Sequence, residues 1–337
     1  MDMLSIKEPM SAKLSPVEQL LIELLRIPSE SGHEGPIADH LAVRLAGSFP
    51  LIEKIPVSDG RCCLFAGAGA PKTLLAAHLD TVVGQLEASS DEENIYGRGS
   101  CDTKGSVAAA IAAGEQARAA GLSDFGLLFT IGEETEFDGA VAASAWLKKQ
   151  AWRPKFVVVG EPTGLKVVTA QKGILSAELE CRGTKAHSSR AERDSATSKL
   201  VAILATLEKL DLPGTLFNIG VLAGGEADNI VAANAKAVLS WRTSLPGLKE
   251  RLEKALAATG VAHTFKITVD LPPVSRDWPN FPKNEVSYYT EMVYFENSVV
   301  CGPGHISEAH SADEFVSRRE LNDAVDLYLK FLKKEEK

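Results

Sequence analysis

The sequence has no excess of positive charge. Lysine and arginine total 36 against 45 aspartates and glutamates, a formal net charge of -9, so a basic face for nucleic acid is not expected. It has no apolar run near the roughly 20 residues of a membrane-spanning helix. Its first residues, Met1 to Leu14, mix acidic and basic side chains without an apolar core, so no signal peptide is expected. Cysteines are few and odd in number: Cys62, Cys63, Cys101, Cys181 and Cys301 form no C-x-x-C pair, which predicts reduced thiols in a cytoplasmic protein. There is no internal repeat, and no low-complexity segment apart from a lysine-rich end. What is present is 45% hydrophobic and 24% charged over 337 residues, the composition of a globular chain of one large or two ordinary domains.

Met1 to Lys13 is expected to fray, and Ser15-Pro16 opens a helix, with Ser as cap and Pro at the first position. Val17, Leu20, Leu21, Leu24 and Leu25 make its apolar stripe. Short apolar runs then alternate with helical patterns. Strands are predicted near 51–56, 62–65, 73–77, 125–131 and 156–159, and helices near 36–46, 106–120 and 139–149. That alternation implies an α/β domain with an open, mostly parallel sheet. The pattern changes at Gly173. Strand 174–181 alternates in polarity, and helix 195–210, strands 217–222 and 235–242, helix 248–258 and strand 264–271 follow. The order β-α-β-β-α-β is that of a ferredoxin-like α+β sandwich. Residues 173–271 are therefore expected to be a domain inserted into a first domain made of 1–172 and 272–337, which closes on a helix near 319–332.

The apolar strands keep ending in histidine or carboxylate: His78, Asp102, Glu133, Glu134, Glu161 and, much later, His310. Strand ends are where an open α/β sheet places its site. His78 alone could merely cap a buried strand, and acidic residues at turns are usually solvated. Their joint occurrence points to divalent cations, which take this mix of imidazole and carboxylate. Four carboxylates gathered in one cleft would otherwise repel and take up protons. Two metals about 3.5 to 4 Å apart need a bridging carboxylate and terminal ligands on each. Five of these residues can supply that, leaving one carboxylate as a base. Asp80, two residues beyond His78 on an extended segment, can face the same way and accept the other imidazole N–H.

Taken in order, the motifs His78-Leu79-Asp80, Gly97-Arg98-Gly99 with Asp102-Thr103-Lys104-Gly105, Gly132-Glu133-Glu134, Gly160-Glu161-Pro162-Thr163, Ala186-His187-Ser188 and His310 with Asp313-Glu314 resemble the co-catalytic zinc aminoacylase/carboxypeptidase family. That family includes acetylornithine and acetylcitrulline deacetylases, succinyl-diaminopimelate desuccinylase and several dipeptidases. The resemblance implies that Asp102 bridges two metals, zinc first, with cobalt or manganese as alternatives. His78 and Glu161 would complete one site, Glu134 and His310 the other. Asp80 would orient His78. Glu133 would be the general base for a water attacking an amide carbonyl, returning the proton to the leaving amine. His187, on the inserted domain, would donate to the oxyanion. Asn229, Arg242 and Gly304 resemble substrate-contacting positions, with Arg242 able to clamp an α-carboxylate and Gly302-Pro303-Gly304 lining the acyl pocket. His33, His40, His263 and His305 fit no ligand slot.

Within the family, Phe217-Asn218-Ile219-Gly220, Gly224-Gly225 and Asn229, with Cys301 to Ile306 and Ala309 to Phe315, look most like the acetylornithine and acetylcitrulline deacetylases. The expected reaction is removal of a small acyl group, most simply acetyl, from the α-nitrogen of ornithine, citrulline or lysine, as in arginine biosynthesis. The partners would be a small-molecule substrate and a second copy bound through the inserted lid and dimerisation domain, with no nucleic acid and no membrane. A desuccinylase, a dipeptidase or a metal-free non-enzymatic homologue are the alternatives. One departure stands out. Pro272 to Glu285 is short, rich in proline and asparagine, and without helical period. The chain lacks a helix the family usually has there, leaving a sheet edge expected to be exposed or covered by a partner.

Overall fold

A computed structural model describes residues 13–190 and 194–333. Most of the expected frayed segment and the lysine-rich end lie outside the described residues. The chain divides into two compact units, one of Met1–Thr169, Trp278–Lys283 and Thr290–Lys337, the other of Ala170–Asp277 and Asn284–Tyr289. The second unit is thus wider than the expected 173–271 on both sides.

In chain order the first unit begins with α1 (Pro16–Leu25), α2 (Gly35–Leu45), β1 (Leu51–Ser58), β2 (Arg61–Gly67), β3 (Thr73–His78), α3 (Lys104–Ala119), β4 (Phe125–Thr130), α4 (Asp138–Leu147) and β5 (Phe156–Val159). The second holds β6 (Gly173–Arg182), α5 (Ala196–Leu207), β7 (Leu216–Gly224), β8 (Asn234–Thr243), α6 (Leu248–Ala258) and β9 (Thr264–Leu271). The chain then returns with β10 (Ser298–Val300) and α7 (Arg318–Lys333).

The first unit is built on a six-stranded sheet in the order β1-β2-β4-β3-β5-β10. Its last four strands run parallel, and the β1–β2 hairpin is antiparallel. β3 and β4 are buried at every position, as parallel strands covered on both faces must be, which is why they read as unbroken apolar runs. The parallel strands end together at His78, Thr130, Val159 and Val300, so the loops after them share one edge. α3, with α1 and α7 against it, packs on β3, while α2 and α4 cover β1 and β2. α1 starts as its sequence requires: Ser15 caps it, and the Glu18 carboxylate accepts the Ser15 amide at 2.7 Å. Its far end is closed by Lys104, whose buried ammonium donates to the carbonyls of Leu24 at 3.2 Å and Ile27 at 2.8 Å.

The second unit is an antiparallel sheet in the order β7-β8-β6-β9, the ferredoxin-like order. β6 and β8 alternate buried and exposed residues, because helices cover only one face. That face packs Leu175, Leu179, Leu239 and Trp241 against Leu200 and Ile203 of α5 and Leu252 of α6.

Pro272 to Glu285 contains no helix among the described residues. The edge it was expected to leave open is closed by the chain itself. The Trp278 indole N–H donates to the Ser298 carbonyl of β10 at 3.3 Å. Trp278 and Phe281 pack on Phe156 of β5, with Phe281 also reaching Phe331 of α7. β10 is consequently buried along its length. Among the described residues no helix is long and apolar enough to cross a membrane.

Candidate metal centre

Four loops at the ends of the parallel strands converge. β3 delivers His78, almost fully buried. Its Nε2 lies 3.0 Å from Asp102 Oδ1 and 4.0 Å from Glu161 Oε1. Glu161 follows β5. The turn after β4 carries Glu133 and Glu134, and Glu134 Oε1 lies 2.9 Å from His310 Nε2. The same His310 nitrogen is 3.3 Å from Asp102 Oδ2. The two oxygens of Asp102 thus face opposite histidines. The donor atoms fall into two groups, His78–Asp102–Glu161 and Asp102–Glu134–His310, each with its atoms within 4.8 Å of one another. Glu133 belongs to neither.

Two carboxylates hold the loops in place. Glu314, fully buried, accepts the backbone amides of Gly99, Cys101 and Asp102 at 3.1, 3.0 and 3.0 Å on one oxygen and Arg98 at 2.7 Å on the other. It gathers the N–H groups of the glycine-punctuated loop and so aims Asp102. Thr103 ties the same loop to β3 through the His78 carbonyl at 3.1 Å. Asp80 does the equivalent for the β4 turn. Its carboxylate accepts the amides of Glu133 and Glu134 at 3.1 Å each and the Ser31 hydroxyl at 2.8 Å. The expected Asp80–imidazole contact takes a different form: His78 Nδ1 lies 2.9 Å from the Asp80 backbone carbonyl and 3.5 Å from its carboxylate. The carboxylate serves mainly the turn that carries Glu133 and Glu134. Behind that turn, Asp138 fills the space beside Gly132, where a Cβ would lie 2.1 Å from Asp138 Oδ1. Arg61 joins Asp138 to Glu34.

The electrostatics follow from burial and crowding. Burial, then the charge of Glu161, holds Glu133 well above the ordinary carboxylate range. Burial, then Asp102, does the same to Glu161, and burial raises Glu134 despite its contact with His310. Asp102 moves down, because its contacts with His310 and His78 outweigh its burial. Burial works against a charge on His78, but Asp102 and Asp80 overcome it and raise its proton affinity well above the usual range. Asp102, then Glu134, lifts His310 to about 10. This is a site short of positive charge. Glu161 Oε1 is buried with no hydrogen-bond partner, and both histidine Nε2 atoms point at carboxylate oxygens. Two imidazoles and three carboxylates in overlapping groups of three suit two borderline divalent cations sharing Asp102.

The remaining expected residues are placed as follows. His187 lies in the second unit on the short strand Ala186–His187, paired with Ile230–Val231. Its ring is exposed, with Nδ1 2.8 Å from the Ser189 hydroxyl. Asn229 accompanies it, its carbonyl accepting the Ser188 amide at 3.0 Å. Arg242 does not join them: it sits at the far end of β8, whose span from Asn234 is roughly 27 Å at about 3.4 Å per residue. Gly304 is buried at φ +84°, its amide donating to Glu320 at 2.8 Å, and a Cβ there would lie 2.6 Å from Cys101 Sγ. His40 pairs with Glu23, His263 with its own loop carbonyl at Val261, and His305 with Glu320. Glu314, Arg98, Arg61, Glu34 and Ser31 were not given roles from the sequence. The signal that could have found Glu314 is the glycine-rich Tyr96–Gly105 loop, whose backbone amides need an acceptor.

The description of peptidase family M20/M25/M40 matches residues 74–334. A protein of Aspergillus fumigatus named "Probable carboxypeptidase" is 32% identical over 379 residues, covering 94% of this chain and 86% of that one. Among solved structures, aminopeptidase PepT from Bacillus cereus superposes with a TM-score of 0.78 at 18% identity, covering 94% of this chain and 98% of that one. YXEP of Bacillus subtilis, described as a dinuclear metal-binding peptidase, gives 0.68 at 15% identity over 95% and 98% of the two chains. The chain belongs to peptidase family M20/M25/M40, metallopeptidase-type hydrolases that act on amide bonds.

Proposed function

We propose that this chain is a two-metal amidohydrolase that frees an amino acid, with its α-carboxylate, from a small acyl group on its α-nitrogen. The observation that carries the reading is Asp102, shared by two donor groups, with Glu133 beside them and in neither. His78, Asp102 and Glu161 would hold one cation and Asp102, Glu134 and His310 the other, zinc before cobalt or manganese. Bound there, the cations supply the positive charge that lowers the pKa of water and polarises an amide carbonyl. Glu133 takes a proton from the attacking water and delivers it to the leaving nitrogen. Asp80, by fixing both amides of the Glu133–Glu134 turn, sets which carboxylate faces the ligands and which faces the water. His187 donates to the oxyanion as the tetrahedral carbon forms. Asn229, whose carbonyl accepts the Ser188 amide beside His187, contributes to the same substrate group, and Arg242 remains the candidate clamp for the α-carboxylate. The Gly302–Gly304 loop, packed on Cys101, offers the acyl group a backbone surface.

Acetyl on ornithine, citrulline or lysine remains the first substrate choice, which would place the reaction in arginine biosynthesis or a related cytoplasmic route. The relatives' name fits the same bond, since a carboxypeptidase also releases a residue with a free carboxylate. A homodimer through the second unit belongs to this reading: β7 is an edge strand with Leu216, Val221 and Leu222 exposed, the kind of edge a second copy covers. The test is amine release from N-acetylornithine, N-acetylcitrulline, N-acetyllysine, N-succinyl-diaminopimelate and a few dipeptides, with zinc or cobalt supplied and bound metal counted. Turnover of the acetylated amino acids with two metals per chain supports the reading. A chain that binds no zinc and gains no stability from it is a non-enzymatic homologue.

A further inference from the structure

Two aromatic rings flank the turn that carries Glu133, and neither has a part in the chemistry above. Phe137 closes the turn that carries Glu133 and Glu134. It adopts the left-handed conformation at φ 57° and ψ 21°, which a bulky residue rarely takes. Its amide donates to the Gly132 carbonyl at 2.8 Å and its carbonyl accepts the Val141 amide at 3.0 Å, so the ring is presented from a fixed backbone. Tyr294 faces it, with ring centroids 5.8 Å apart and planes inclined by 38°.

Tyr294 is equally fixed. It ends the short turn Glu291–Val293, whose Met292 amide donates to the Thr290 hydroxyl at 3.2 Å. Glu291 anchors that turn to the end of β4 through the Thr130 hydroxyl at 2.7 Å. Ser298 ties it down through the carbonyls of Met292 at 3.0 Å and Phe295 at 2.8 Å. Met292 and Phe295 are buried on either side, while Tyr294 and Phe137 stay half open to solvent. Burial, then the charges of Glu291 and Glu133, raises the proton affinity of the Tyr294 phenol.

From this arrangement we infer that Phe137 and Tyr294 are specificity-determining residues, forming an apolar wall beside Glu133 that receives a hydrocarbon side chain of the amino acid being released. The inference rests on the function proposed above and deepens it. Glu133 protonates the leaving nitrogen, so a wall beside Glu133 meets the substituent on the carbon next to that nitrogen. Ring faces take a methylene stem or another ring. The nearby Glu133 opposes an anionic side chain. The class selected is a side chain with an extended hydrocarbon portion, such as norleucine, methionine, phenylalanine or the stems of ornithine and lysine, over glycine and aspartate.

The experiment compares kcat/KM of the metal-loaded full chain on the N-acetyl derivatives of glycine, aspartate, norleucine and lysine, and on N-hexanoylglycine. Phe137→Ala and Tyr294→Ala are expected to lower kcat/KM for norleucine and lysine by about tenfold, the scale of a lost methylene contact in an apolar pocket, and to leave glycine within about twofold. Tyr294→Phe keeps the ring and retains the preference. A uniform loss on every substrate, glycine included, reduces the rings to a structural role and overturns the inference. A loss confined to N-hexanoylglycine moves the wall to the acyl side and also overturns it. If the unaltered protein turns over none of these, the proposed reaction fails, and calorimetry with N-acetylnorleucine against N-acetylglycine still decides the wall. Tighter binding of norleucine that Tyr294→Ala abolishes supports it, and equal binding refutes it.

Discussion

Glu314→Gln tests whether the loop carrying Asp102 is aimed by one distant carboxylate. In the native arrangement Oε1 accepts three backbone amides and Oε2 accepts Arg98. Glutamine has the same shape but only one acceptor. If its oxygen keeps the amides, its NH2 faces the guanidinium, donor against donor. Arg98 is only 7% exposed, so it loses its ion pair without gaining water. Removing one partner of a buried pair costs about 3 to 5 kcal/mol. The low end applies here, because Arg98 keeps the carbonyls of Gly84 at 3.0 Å and Ser311 at 3.2 Å. The Ser311 contact matters for function, since it pins the residue after His310. Asp102 and His310 are therefore positioned by the same network. A disturbed support of this kind weakens metal binding by about 10- to 100-fold. Urea unfolding of the metal-free protein and zinc competition against a chelator measure the two effects separately. Lys54→Ala, which breaks an exposed pair with Asp39, is the control and should change stability by less than about 0.5 kcal/mol. Zinc affinity within twofold of the unaltered protein for Glu314→Gln would refute the reasoning, whatever the stability.

Three further outcomes follow from the site. Glu133→Gln should abolish turnover while both metals stay bound by mass spectrometry or metal analysis; loss of one metal would mean that Glu133 and Glu134 have exchanged roles. Asp80→Ala removes the acceptor for both amides of that turn and for Ser31, so kcat should fall by at least about 100-fold; metal retained with unchanged kcat would show that the turn holds itself. His187→Ala should lower kcat by about 100-fold or more with little change in KM, and an unaffected kcat would remove His187 from the oxyanion.

The parts of this molecule that were legible in its sequence are those set by local pattern. Continuous apolar runs betrayed β3, β4 and β5 because strands covered on both faces need them. Their ends were therefore visible as well, and with them His78, Glu133, Glu134 and Glu161. The alternating pattern of β6 and β8 marked a sheet covered on one face. Ser15, Pro16 and Glu18 wrote the start of α1. What stayed hidden depends on partners far apart in the chain. Glu314 serves amides more than 200 positions earlier, and no local pattern records that. Asp80 was read as the orienter of His78 from a two-residue spacing, whereas its carboxylate chiefly serves a turn 53 and 54 residues away. Trp278 and Phe281 lie in a segment without period, so their covering of β10 was invisible. Arg242 and Asn229 are near each other in sequence and far apart in space, because a strand separates them.

Glu291 gives a pH prediction that depends on counting protons. The Thr130 hydroxyl lies 2.7 Å from Glu291 Oε2 and 3.3 Å from the Ala77 carbonyl oxygen. One hydroxyl proton cannot serve two acceptors. If Glu291 is a carboxylic acid, it donates to Thr130 and Thr130 donates to Ala77, and the chain of bonds is complete. Burial pushes the Glu291 pKa up from 4.5 to about 7, with the Thr130 contact and the charge of His78 opposing. Its folded-state pKa is raised, so the folded state holds a proton that the unfolded state has released. The stabilisation by that proton is full below about 4.5 and declines as pH rises towards 7. Above that the carboxylate stays charged and buried. The difference is on the order of 3 kcal/mol, at about 1.4 kcal/mol per pH unit. Glu291→Gln mimics the acid, since its NH2 can donate to Thr130 at any pH. The variant should match the unaltered protein in urea unfolding near pH 5 and exceed it near pH 8 by up to about 3 kcal/mol. Equal stability at both pH values would mean that the carboxylate is already ionised at pH 5, with the Thr130 proton directed at Glu291 and Ala77 left without it.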